Sequence, residues 1–179
     1  MTSIRGRTGD VAAVLRARWY LRHANAIGAR VRLRGRPAVT ARGHLVIGDR
    51  VQLVSTVAKL ELVVEEGATL EIGERSLINF GCSIVALDRV TIGARSLIGP
   101  HCMIMDTGFH DIDPDRRLQP PTAQPITIGE NVWLGARVIV MPGVTIGDDS
   151  VVGVGSVVTH DVPPRSVAVG APARVVKNL

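Results

Sequence analysis

The sequence predicts an all-β coil of stacked six-residue repeats, and three observations carry that expectation. Aliphatic residues recur every six positions at Ile128, Leu134, Val140, Ile146, Val152 and Val158. Glycine follows at Gly129, Gly135, Gly147 and Gly153, a placement that suits the corners of a coil. Hydrophobic residues make up 46% of the chain but aromatics only 3%, so valine, isoleucine, leucine and alanine must fill the interior. A period of six matches neither a helix nor a plain two-residue alternation. It fits short strands joined by turns, with three hexads closing a triangular coil of about 18 residues. Long aromatic side chains would not fit inside so narrow a prism.

The elements follow in order. Residues 1–36 hold nine arginines and one acid, Asp10, for a net +8; the remainder has twelve basic and fifteen acidic residues, for −3. Val11, Val14, Leu15 and the run to Leu21 predict a short amphipathic helix over 10–27, with Asp10 as N-cap and Gly28 beyond its end. That helix is expected to cover one end of the stack. Its basic face is either simply solvated or makes weak contact with an anionic membrane surface; nucleic acid is not expected.

The β-helix domain is expected over 37–179. Its series starts loosely at Ile47 and Leu53 and then runs Ile72, Ile78, Ile84. After a two-residue slip come Ile92, Ile98 and Ile104. Small or β-branched residues fall four positions later, at Val132, Val138, Val144, Ser150 and Ser156. Cys82 and Cys102 take that same place after Ile78 and Ile98. They are expected to stack as small buried groups, not to form a disulfide or a nucleophile. The stretch from His160 to Val176 breaks the repeat with proline pairs and reads as closing strands or a tail. The flat sides around Gly135 to Val158 carry too few charges for full solvation, which suggests association between copies.

The bulk properties exclude several classes. At 179 residues the chain is one domain with its own core. No apolar run approaches the ~20 residues of a membrane span, and no signal-peptide pattern opens the chain. A cytoplasmic location is expected.

Residues 106–125, "DTGFHDIDPDRRLQPPTAQP", interrupt the repeat. Loops longer than roughly 12–15 residues in a compact domain are usually functional or disordered. This one carries His110, which falls six after Ile104, where the next inward residue would be. An imidazole in an aliphatic column would be desolvated at a cost, so the chain is expected to turn outward here.

The segments "INFGCSIVALDRVTIG", "TGFHDIDPDRR", "PITIGENVWLGARVIVMPGVTIGDDSVVGVGSVVTHDVPP" and "GAPARVV" resemble the hexapeptide-repeat acyltransferase superfamily, in particular its maltose/galactoside-type and polysaccharide O-acetyltransferases. The resemblance runs from about Ile47 to the C-terminus. It implies a left-handed parallel β-helix, a homotrimer, acetyl-CoA as donor and the hydroxyl of a sugar or glycan precursor as acceptor. It also implies His110 as catalytic base, although Phe109 intervenes where related sequences often read Thr-Gly-His. On the acceptor side it points to Asn79 and Asp88. Along coenzyme A it points to Trp133, Ala136, Val154, Thr159, His160, Arg174 and Lys177, with His160 where a lysine or arginine is common.

Transfer of acetyl from a thioester to an alcohol needs a base for the hydroxyl proton, and a carboxylate or backbone carbonyl can orient that base through its other nitrogen. No metal is expected. A metal hydratase like the γ-class carbonic anhydrases, which share the coil, needs three zinc-binding histidines, and His101 and His110 lack the third. A non-catalytic trimeric scaffold is the remaining alternative.

Overall fold

The computed structural model describes residues 4–119 and 122–179; Met1 to Ser3 of the basic segment, and Pro120 and Pro121 of the expected loop, lie outside the described residues. The chain winds as a solenoid with three sheets, of six, eight and six strands. Every pairing between successive coils is parallel. The first sheet aligns Ile47, Ile72, Ile92, Ile128 and Ile146 in one column. The third aligns Leu62, Ile84, Ile104, Val140 and Val158. All of these point inward and are buried. The predicted six-residue column is therefore the core itself, and each side chain in it covers the next.

The series reaches further back than its clean spacing suggests. Ile27 pairs with Ile47 and Leu33 with Leu53, so strands begin at Ala26 inside the basic segment. Where helix to residue 27 was expected, the helix instead spans Ile4–Tyr20. Asp10 is not its N-cap but lies within it and meets Arg32 at 3.4 Å. Gly28 lies beyond the first strand: a Cβ there would sit 2.4 Å from the Asp49 amide of the next coil. Ala13 and Ala17 of the helix, with Leu21 just past its end, seal one end of the stack. Among the described residues no helix is long and apolar enough to cross a membrane.

The glycines after the inward aliphatics serve a different purpose from the expected one. At Gly93 a Cβ would lie 2.4 Å from the carbonyl carbon of Gly129, so close stacking of coils excludes a side chain. Left-handed backbone falls two residues later, at Arg50, Arg75, Arg95, Asn131 and Asp149, with φ of 53–60°.

The positions four after each aliphatic form a second ladder. Ser96 Oγ donates to the Gly129 carbonyl at 2.9 Å and accepts from the Val132 amide at 3.0 Å. Cys82 and Cys102 donate their thiols to the Gly99 and Gly135 carbonyls, each at 3.1 Å. The neighbouring Cys102 sulfur, together with burial, holds the Cys82 thiol well above the usual thiol range. It stays protonated, as its donor role requires. Beyond the last full coil, Ser166–Gly170 joins the second sheet and Ala173–Asn178 folds back antiparallel to it.

Candidate active site

The interruption begins at a corner of the prism. Met103–Met105 is the last strand before it, and Ile126–Ile128 resumes the first sheet. Asp106 roots the loop. Its buried carboxylate accepts the amides of Leu87, Asp88 and Arg89 at 2.8–3.1 Å, closing the corner made by the two-residue slip. Gln124 returns the chain by donating its amide to the Asp106 carbonyl at 2.8 Å. The twenty-residue excursion thus starts and ends on one residue.

Between these anchors the loop holds itself by short-range contacts. Thr107 Oγ1 accepts the Phe109 amide at 3.1 Å. Phe109 has φ +62°, a costly conformation for a bulky residue. It turns the next residue out, and His110 is exposed as expected. Asp113 caps a single 3-10 turn, Pro114–Arg116, and with Asp111 pairs with Arg116. That turn delivers the Arg117 carbonyl to His110 Nδ1 at 3.0 Å. A carbonyl only accepts, so Nδ1 carries the proton, and in the neutral ring the lone pair is on Nε2. The orienting group is therefore the main chain, neither Asp106 nor Asp113. No side-chain pattern announces a backbone carbonyl, so the sequence left this partner unassigned.

The other candidates fall into two groups. Asp88 is exposed at the loop corner, its amide bound by Asp106. Thr159 and His160 occupy the same corner two coils beyond the loop, with Thr159 Oγ1 2.8 Å from His160 Nδ1. His160 and Arg174 line one cleft of about 270 Å³ together with Asp161 and Val175.

Asn79 lies at a different corner, between the second and third sheets, with its Oδ1 accepting the Phe80 amide at 2.9 Å. Ala136 and Val154 stack at that same corner, where the Gly155 amide donates to the Ala136 carbonyl at 2.9 Å. His101 also lies there, edge-on to Phe80 at 5.4 Å. Trp133 stands on the outer face of the second sheet between Leu97 and Val151, and Lys177 lies opposite Val167 at the end of that sheet. The whole third sheet separates Asn79 from His110. One chain does not bring them together.

Among the described residues no three His, Cys, Asp or Glu side chains are grouped to hold a metal ion.

A family profile described as the hexapeptide repeat of succinyl-transferase matches residues 125–160. Galactoside O-acetyltransferase of Escherichia coli K12 is 45% identical over 113 residues, 63% of this chain and 56% of that protein. Nodulation protein L of Rhizobium meliloti is 47% identical over 61% of this chain and 60% of its own length. The chain thus aligns with little more than half the length of such relatives. Among solved structures, a hexapeptide-repeat acetyltransferase of Vibrio cholerae complexed with acetyl coenzyme A superposes with a TM-score of 0.70 at 26% identity, over 99% of this chain and 91% of that one. A galactoside acetyltransferase in complex with coenzyme A superposes with a TM-score of 0.66 at 32% identity, over 98% of this chain and 79% of that one. Identity at that level, carried through the full solenoid, shows that the chain belongs to the hexapeptide-repeat acyltransferase superfamily.

Proposed function

We propose that this chain is an acetyl-CoA-dependent O-acetyltransferase acting on a hydroxyl of a sugar or glycan precursor, with His110 as general base. The observation that carries the reading is the exposed imidazole held through Nδ1 by the Arg117 carbonyl, with Nε2 unpartnered among the described residues. Nε2 would take the proton of the acceptor hydroxyl as its oxygen bonds to the thioester carbonyl carbon. Collapse breaks the carbon–sulfur bond, and the proton passes from the imidazolium to the departing thiolate. Similarity to a galactoside acetyltransferase bound to coenzyme A supports the donor and the acceptor class.

The separation of the two groups supports a site shared between copies in a homotrimer. The loop corner of one chain would face the Asn79, Ala136 and Val154 corner of another, with coenzyme A lying between. Asn79 and Asp88 would contact the acceptor; Trp133, Thr159, His160, Arg174 and Lys177 would line the donor. The outer faces favour this assembly. The outer face of the first sheet carries Thr91, Thr127 and Thr145, whereas the third carries Met103, Ile139 and Val157, and the second Leu97 and Trp133. Light scattering is expected to give three chains per particle; a stable monomer at micromolar concentration would remove the shared site.

The decisive experiment is a panel of sugar and glycan acceptors with acetyl-CoA, reading release of free thiol. An acceptor-dependent signal that His110→Ala abolishes is the expected result. Retention on immobilised coenzyme A with no turnover on any hydroxyl acceptor would count against the O-acetyltransferase reading.

A further inference from the structure

The helix Ile4–Tyr20 carries two apolar stripes. Ala13, Ala17 and Leu21 continue one face, four residues apart, and are buried against the coil. Val11, Leu15 and Trp19 have the same spacing two positions earlier, about 200° around the axis. They are 61%, 65% and 67% exposed. A helix needs only one such stripe to seal the end of a coil. The second faces away from the protein that the first one holds.

Cations border this outer stripe. Arg18 and Arg22 run along its edge, and the Arg22 guanidinium lies 5.3 Å over the Trp19 ring while donating to the Trp19 carbonyl at 3.0 Å. On the same side of the stripe, a groove of about 630 Å³ is floored by Val11, Val14 and Leu15 and walled by Arg30 and Arg32. The acid there, Asp10, is paired with Arg32, and Arg30 has no acidic partner among the described residues.

We infer that this face is a docking surface for an anionic phospholipid bilayer, with Val11, Leu15 and Trp19 entering the headgroup–acyl boundary and the arginines meeting lipid phosphates. Interfacial helices have this composition, with a large apolar side chain between arginines whose heads reach for the phosphate layer. A tryptophan on the stripe suits the same depth, because its ring is apolar and its N–H is polar. Nucleic acid would use the cations but leave three large apolar side chains in water. A second copy meeting this face would set Arg18 and Arg22 against their own duplicates, a like-charge contact.

The test uses the full chain and vesicle sedimentation, comparing phosphatidylcholine with mixed phosphatidylcholine–phosphatidylglycerol vesicles. Binding to the mixed vesicles is expected, weakened by salt, with a blue shift of tryptophan emission that Trp19→Phe removes. Leu15→Glu with Trp19→Glu, and separately Arg18→Glu with Arg22→Glu, should each lower the partition coefficient by roughly tenfold or more. Both pairs lie on the exposed face, so the thermal midpoint should stay where it is. Failure to bind the anionic vesicles, or equal binding to both vesicle types, would overturn the inference. So would a Leu15→Glu/Trp19→Glu chain that loses its assembly yet still sediments with vesicles, which would give the stripe to another copy. Binding is read without turnover, so it stands or falls separately from the transferase reading.

Discussion

The coil wall and the loop of residues 106–125 solve the same problem, the satisfaction of backbone polar groups, in opposite ways. In the wall the strand amides reach residues one coil away: Gly93 donates to Ile128 and Gly129 to Ile146. Stacking leaves no room for a side chain at Gly93 and its equivalents Gly48, Gly73, Gly129 and Gly147. In the loop the partners lie two to seven residues apart, as with Thr107 and Phe109, Asp113 and Asp115, or His110 and Arg117. A wall built on contacts between coils is rigid and flat, and the inward positions of its aliphatic column are closed to polar side chains. A self-contained loop can hold an imidazole outward and fix which nitrogen is protonated. Asp106 belongs to both regions, because its side chain closes a wall corner and its carbonyl receives the returning loop.

Four substitutions test that division, from the largest expected effect to the smallest. His110→Ala should reduce turnover by ~10²–10⁴ while leaving the denaturation midpoint in place. A large loss of stability would show that the loop supports the wall after all. Asp106→Ala should leave three amides at a buried corner without their acceptor and cost about 3 kcal/mol or more in denaturant unfolding. Because the same residue roots the loop, activity should fall in protein that is still folded. Intact activity in the folded fraction would mean that the loop positions His110 without its root.

Gly93→Ala acts on the wall alone. The new methyl would meet main chain, which cannot rotate away as a flexible side chain can, so the cost should be about 3 kcal/mol, at the upper end of ordinary overpacking. Catalytic constants of the folded protein should not change. Ser96→Ala removes one donor and one acceptor from the ladder between coils and should cost about 1–2 kcal/mol, seen as a lower midpoint by circular dichroism. A neutral result there would show that the coils settle together once the hydroxyl is gone.

Much of the wall was legible because its chemistry is periodic. The spacing from Ile72 to Val158 named the buried column residue by residue, and the same period put Cys82 and Cys102 into the small-residue ladder. The first coil was harder to see. Ile27 and Leu33 sit among arginines whose side chains leave the wall, so composition there read as a charged helical segment. The helix boundary failed for a related reason. Asp10 has the residue type of an N-cap, but its carboxylate is drawn to Arg32 on the coil. The loop stood out as a break in period, and His110 stood out as the histidine at its start. Its orienting partner did not, because a main-chain carbonyl has no residue type.

The sequence by itself determined the solenoid, the identity of its core and the place where it is interrupted. A repeated pattern specifies repeated contacts, and each hexad sees the same neighbours. Only the tertiary structure decided what lies close across the coils. It assigned the corner glycines to steric exclusion, with the left-handed turn falling on Arg75, Arg95 and their equivalents. It separated Asn79 from His110 by a full sheet, and it left Val11, Leu15 and Trp19 uncovered on the outer face of the helix. Those outcomes depend on distances between residues about a coil or more apart in the chain, and a pattern read along one strand carries no such distances.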